Sequence, residues 1–188
     1  MQNLWQKKLK LNYSLDVFDI VQFGSSIFEN SDKPSNDLDI AVIFVKIPIK
    51  EQLVQAQKIK SQIEKYSSLP VHINSFDLYS FFDKSNFARE NILFYGLSLN
   101  SGDYFSKKFG LNPKIYIYYS LQKLKKKEKV RFNYTLNGKK GEYGLLRKYG
   151  GKILKPGLVE IDPVNEKIFV ESIKKITSDY IVKKIFLQ

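Results

Sequence analysis

Between Leu38 and Ile47 the chain reads Leu-Asp-Ile-Ala-Val-Ile-Phe-Val-Lys-Ile, a nearly unbroken apolar run entered through Asp37 and Asp39. Strand side chains alternate between two faces, so a strand apolar at both odd and even positions must be covered on both. A sheet with one wet face is thereby excluded around this segment. The two aspartates are the exception to the pattern. Carboxylates at the mouth of a buried strand are costly unless something pairs with them.

The neighbouring segments supply layers for such a strand. Residues 16–23, rich in β-branched and aromatic types and halted by Gly24, predict a preceding strand. Residues 25–29 predict a short helix and residues 30–36 an exposed loop of turn-forming types. Helices are predicted over 2–12, over 48–66, with Leu53, Ala56, Ile59, Ile63 and Tyr66 as one apolar stripe, and over 86–97. Residues 71–76 predict a third short strand. The resulting class is α+β: a small mixed sheet flanked by helices over residues 1–110.

Gly110-Leu111-Asn112-Pro113 marks a boundary, and charge changes across it. Residues 1–110 hold 13 Lys and Arg against 12 Asp and Glu, whereas residues 111–188 hold 18 against 7. A near-neutral front half joined to a back half of net charge +11 predicts a second, basic α+β domain that contacts a polyanion. Within it, helices are predicted over 115–127, 128–136 and 165–176, with a helical turn over 144–149. A ribbon bent at Pro156-Gly157 and a closing strand over 179–187 complete it. No apolar run is long enough to span a bilayer and residues 1–10 lack a signal-peptide layout, which predicts a cytoplasmic protein without a membrane partner.

Cysteine is absent and histidine occurs once, at His72, so thiolate and multi-histidine metal centres are excluded. Metal chemistry here must use oxygen ligands. Asp37 and Asp39, one residue apart at a strand, present both carboxylates on one face, where they can share a metal. Gly24-Ser25 opens a turn whose amides and hydroxyl suit phosphate oxygens.

Phe23-Gly24-Ser25 followed by Ser35-Asn36-Asp37-Leu38-Asp39-Ile40 resembles the active-site core of the DNA polymerase beta-like nucleotidyltransferases. The resemblance covers about residues 1–105, and Asn91 to Gly96 is similar to the helix end that closes the domain in the minimal members. It implies a nucleotidyltransferase fold and a two-metal Mg²⁺ site. Asp37 and Asp39 would be the metal-binding catalytic carboxylates, and Gly24 and Ser25 would bind the nucleoside triphosphate. The family places a third carboxylate on the next strand, where this chain has His72. The Arg and Gly that often follow the Gly-Ser turn are replaced by Ile27-Phe28-Glu29. His72 is therefore the third candidate catalytic residue, as a ligand or as a base, since an imidazole titrates near neutrality. Asp77 is the other candidate, though its odd offset from His72 turns it to the opposite strand face.

In the back half, Lys123, Lys125, Lys126, Lys127, Lys129 and Arg131, extended by Arg147 and Lys148, are interleaved with Tyr116, Tyr118, Tyr119, Phe132 and Tyr134. Cations for phosphates and rings for bases predict a nucleic-acid partner, RNA favoured. The leading expectation is nucleotidyl transfer from a nucleoside triphosphate to that nucleic acid. Two rivals are an antitoxin-like enzyme that nucleotidylates a partner protein and a catalytically degenerate fold serving as a DNA- or RNA-binding module.

Overall fold

The computed structural model describes residues 4–7, 9–28 and 35–188. The chain is mixed α and β, with two four-stranded sheets in two compact units that meet in sequence between Leu111 and Asn112.

In the first unit, β1 (Val17–Phe23) pairs antiparallel with β2 (Leu38–Phe44). Helix α1 (Ile49–Ile63) then crosses over to β3 (Val71–Asp77), which runs parallel to β2. Helices α2 (Leu78–Phe82) and α3 (Arg89–Tyr95) follow, and β4 (Leu97–Ser98) returns beside β1. The order is β3-β2-β1-β4.

Strand β2 is buried on both faces beyond Asp39, as its sequence requires. Leu38, Ile40, Val42 and Phe44 pack with Ile59 and Ile63 of α1, and Ala41 and Ile43 pack with Phe81 and Ile92 on the other side. Each isoleucine buried this way stabilises the fold by about 1.5–3 kcal/mol. The stripe of α1 is rotated from the predicted one. Gln52, Ala56, Ile59 and Ile63 face inward, while Leu53 and Tyr66 are 55% and 40% exposed. Gln52 is drawn in because its side-chain amide donates to Ile47 O at 3.1 Å and to Asp77 Oδ2 at 3.4 Å.

The helix predicted over 2–12 is not formed by its described residues. Leu4–Gln6 makes one 3₁₀ turn and the chain then runs irregularly from Leu9, with Leu4, Trp5, Leu9, Leu11 and Tyr13 laid against the α1 side of the sheet. Burial of separate side chains replaces the helical stripe. Helix α2 has no periodic signal in the sequence, because five residues are too few for one; its Asp77–Ser80 capping box starts it. The predicted short helix over 25–29 is a 3₁₀ turn, Gly24–Ile27, and residues 29–34 of the helix and loop predictions lie outside the described residues.

One interior charge went unread. Asp19 of β1 is fully buried, with Oδ1 accepting from Ser98 Oγ (2.8 Å), Asn100 Nδ2 (3.1 Å) and Ile20 N (2.9 Å), and Lys108 Nζ 3.4 Å from Oδ2. Burial pushes its carboxyl above the ordinary range, against the pull of these partners.

The second unit begins with β5 (Asn112–Tyr119), so the first five residues of the helix predicted over 115–127 are strand, and helix begins only at Lys126. Ile-Tyr-Ile-Tyr alternates with period two, and its types are strand formers. Helix α4 (Lys126–Asn137), helix α5 (Leu145–Tyr149), the hairpin β6 (Gly151–Lys155) and β7 (Leu158–Ile161), helix α6 (Glu166–Lys174) and β8 (Tyr180–Leu187) follow. The sheet is antiparallel in the order β6-β7-β5-β8. On one face Ile115, Ile117, Val159 and Ile161 are buried, and Tyr119 on that side meets the Phe132 ring at 4.6 Å. Among the described residues no helix is long and apolar enough to cross a membrane.

Candidate functional site

The parallel register of β2 and β3 sets Asp39 opposite His72, and the antiparallel register of β1 and β2 sets Asp39 opposite Phe23, the residue before Gly24. Three strand ends therefore deliver Gly24, Asp39 and His72 to one place. Asp37 lies one residue ahead of β2 and joins them. One ligand atom from each of Asp37, Asp39 and His72 falls within 4.8 Å of the others. His72 Nδ1 is 3.5 Å from Asp37 Oδ2 and 3.9 Å from Asp39 Oδ1.

The Asp39 carboxylate sits directly over Gly24. That glycine has φ +75°, and a Cβ placed on it would lie 2.2 Å from Asp39 Oδ2. Both backbone conformation and space exclude a side chain there. The sequence suggests clearance for a phosphate at Gly24; what the structure places over it is the Asp39 carboxylate.

Ser25 is exposed, and its Oγ is 2.7 Å from Ser35 Oγ. Ser35 Oγ lies 2.7 Å from the Asp37 carbonyl oxygen and 3.5 Å from Asp37 Oδ1. This hydroxyl chain ties the Gly-Ser turn to the segment that presents Asp37. Behind the turn, the buried Gln22 amide donates to Ser26 Oγ at 3.1 Å. Ser35 was visible in the sequence only as part of a motif, because its partners are ten residues back and two ahead.

Burial and the neighbouring Asp37 charge push the Asp39 carboxyl above its ordinary value, with His72 pulling the other way. Two carboxylates this close, with no lysine or arginine ion pair to either among the described residues, form a donor set suited to a hard divalent cation. The two oxygens fit Mg²⁺, whereas the His72 nitrogen is a poor Mg²⁺ ligand and would suit Mn²⁺ better. Asp77 is not part of this group. Its Oδ1 accepts from Ser80 N at 2.7 Å as the cap of α2, which also holds its carboxyl below the ordinary range.

In the second unit the predicted cations lie before and on α4 and on α5. Lys123 precedes α4 and lies 3.5 Å from Asp179; Lys125 is the N-cap residue, with its backbone N–H donating to Glu128 Oε2 at 2.7 Å. Lys126, Lys127 and Arg131 are exposed on α4, Lys129 is half-buried, and Arg147 and Lys148 lie on α5. The interleaved rings separate by role. The buried Phe132 pairs with the half-buried Tyr119, Tyr116 and Tyr118 are half-buried on the opposite sheet face, and Tyr134 is 48% exposed. No family model, curated protein or solved structure matches the chain.

Proposed function

We propose that the first unit is a Mg²⁺-dependent nucleotidyltransferase of the DNA polymerase beta-like type, and that the basic second unit binds the nucleic acid that accepts the nucleotide, RNA in the first instance. The observation that carries this reading is the convergence of Asp37, Asp39 and His72 within 4.8 Å beside the Gly24-Ser25 turn.

Asp37 and Asp39 hold the cation, which when bound supplies positive charge to the triphosphate and the leaving pyrophosphate. Ser25, with the amides of its turn, holds phosphate oxygens, and the Ser25–Ser35 contact keeps that hydroxyl in register with Asp37. The acceptor hydroxyl oxygen forms a bond to the α-phosphorus as the bond from that phosphorus to the pyrophosphate oxygen breaks. His72 takes the hydroxyl proton. With Nδ1 turned toward the carboxylates, its Nε2 remains as the acceptor on a ring that is 61% exposed.

The test is incubation with each labelled nucleoside triphosphate and Mg²⁺, with and without RNA. Transfer that disappears in Asp37→Ala/Asp39→Ala supports the assignment, and equal transfer by the double variant overturns it. Label on a co-purified protein in place of RNA assigns the acceptor to the antitoxin-like alternative.

One observation favours the silent binding module as a second reading. The third position carries an imidazole, and the nearest spare carboxylate on β3, Asp77, is committed to capping α2. Salt-sensitive nucleic-acid binding by Asp37→Ala/Asp39→Ala, with no transfer by the native chain, would select it.

A further inference from the structure

Helices α4 and α5 are joined through two glycines whose backbones touch. A Cβ on Gly138, at φ +87°, would lie 2.2 Å from Glu142 O and 2.6 Å from Gly144 N. One on Gly144 would lie 2.2 Å from Gly138 N and 2.3 Å from Leu136 O. The segment between them, Lys139-Lys140-Gly141-Glu142-Tyr143, is thus extruded as a pinched loop, closed further by Glu142 N donating to Lys139 O at 2.8 Å.

The pinch places rings and cations together at the surface. Lys139 Nζ is 6.0 Å from the centroid of the Tyr134 ring, and Arg147 Cζ is 4.1 Å from that of Tyr143. Tyr134 is 48% exposed and Tyr143 65% exposed. From residue 134 to residue 149 there are four cations and one carboxylate, Glu142.

We infer that this loop is a binding platform for single-stranded nucleic acid, in which Tyr134 and Tyr143 stack on unpaired bases while Lys139 and Arg147 neutralise the adjoining phosphates. The inference rests on the reading of the second unit as a nucleic-acid-binding module and is independent of the transfer chemistry of the first. Charge alone would suit any polyanion, but exposed rings held beside cations add a surface on which a splayed-out planar base can stack. A duplex keeps its bases inside the stack and offers these rings little. Because the two glycines fix the loop before binding, little ordering remains to be done when the strand arrives.

The experiment is fluorescence anisotropy with the full chain and a labelled oligoribonucleotide of about twelve nucleotides, a length within the usual single-strand site range, beside a duplex of the same length. Truncating both rings, Tyr134→Ala/Tyr143→Ala, is expected to weaken single-strand binding between about fivefold and a hundredfold per ring and to leave duplex binding unchanged. Tyr143→Phe should retain native affinity. Arg147→Gln should make the dependence of log K on log salt shallower by about 0.7. Melting curves of the variants exclude global unfolding as the cause.

Unchanged single-strand affinity in a folded Tyr134→Ala/Tyr143→Ala protein overturns the platform, as does an equal loss for the duplex. Asp37→Ala/Asp39→Ala should bind the oligonucleotide as the native chain does. If that double variant also transfers nucleotide normally, the proposed enzymatic function falls while the ring result stands.

Discussion

The carboxylate of Asp39 occupies the space where a side chain on Gly24 would be, with Oδ2 2.2 Å from the position of a Cβ. A glycine in the left-handed region and an aspartate on the adjacent strand are thus one structural unit. Gly24→Ala is expected to destabilise the fold by more than about 1 kcal/mol from the backbone conformation alone. It should also push Asp39 out of line, and a displacement on the order of 1 Å at a reacting centre can cost about a hundredfold in rate. Transfer assays and melting curves on the same preparation separate the two effects.

The raised carboxyl of Asp39 sets a pH dependence with a definite sign. Between the ordinary value of 3.8 and its higher folded value, the native state holds more protons than the unfolded one. Stability therefore falls as pH rises through that window and stays lowered above it. Asp39→Asn should make the metal-free protein more stable at pH 7, by under about 1 kcal/mol given partial exposure, and the advantage should vanish as pH falls below the unfolded value of 3.8. Asp19 carries a shift of the same sign, so the comparison of variant with native chain is the informative one. Mg²⁺ should raise the melting temperature of the native chain and not that of Asp39→Asn.

On the proposed reading, His72 stands where a carboxylate would complete a ligand set. His72→Asp should tighten Mg²⁺ binding on the order of tenfold, about 1.4 kcal/mol, because an oxygen donor and a negative charge replace an imidazole that suits this ion poorly. Calorimetric titration checks it. The same substitution should slow transfer at neutral pH if His72 is the proton acceptor, since affinity and rate then move in opposite directions.

Asp77 provides the control. Asp77→Ala removes the cap of α2 and should cost about 1 kcal/mol at pH 7, without changing Mg²⁺ affinity. Its carboxyl is held below the ordinary range by Ser80, so the stability it contributes is present above the unfolded value near 3.8 and is lost as pH falls through the lower folded value. Acid titration of the melting temperature should bring native and variant chains together in that range.

The site was more legible in the sequence than the surroundings that hold it. Asp37 and Asp39 announced themselves by entering an apolar strand, and His72 by its place on the next one. Ser35 and the true tightness of Gly24 were hidden, because both depend on atoms brought close only by the strand registers. Strand β2 was readable on both faces from its composition. Strand β5 was misread because its tyrosines run into a lysine-rich segment that does become helical, and the joined stretch mimics one longer helix. The stripe of α1 is set at Gln52 rather than Leu53, and Gln52 hydrogen-bonds Ile47 O and Asp77 Oδ2, partners that local spacing does not reveal.

The parallel pairing of β2 with β3 across α1 also bears on the order of assembly during synthesis. Asp37 and Asp39 emerge 33 or more residues before His72, and nothing local holds the three together. A crossover of that length must close before their ligand atoms meet, and such non-local closure is the slow part of folding. A nascent chain stalled within α1 would carry both aspartates without the imidazole, so the cluster of Asp37, Asp39 and His72 comes into being only when the third strand has docked.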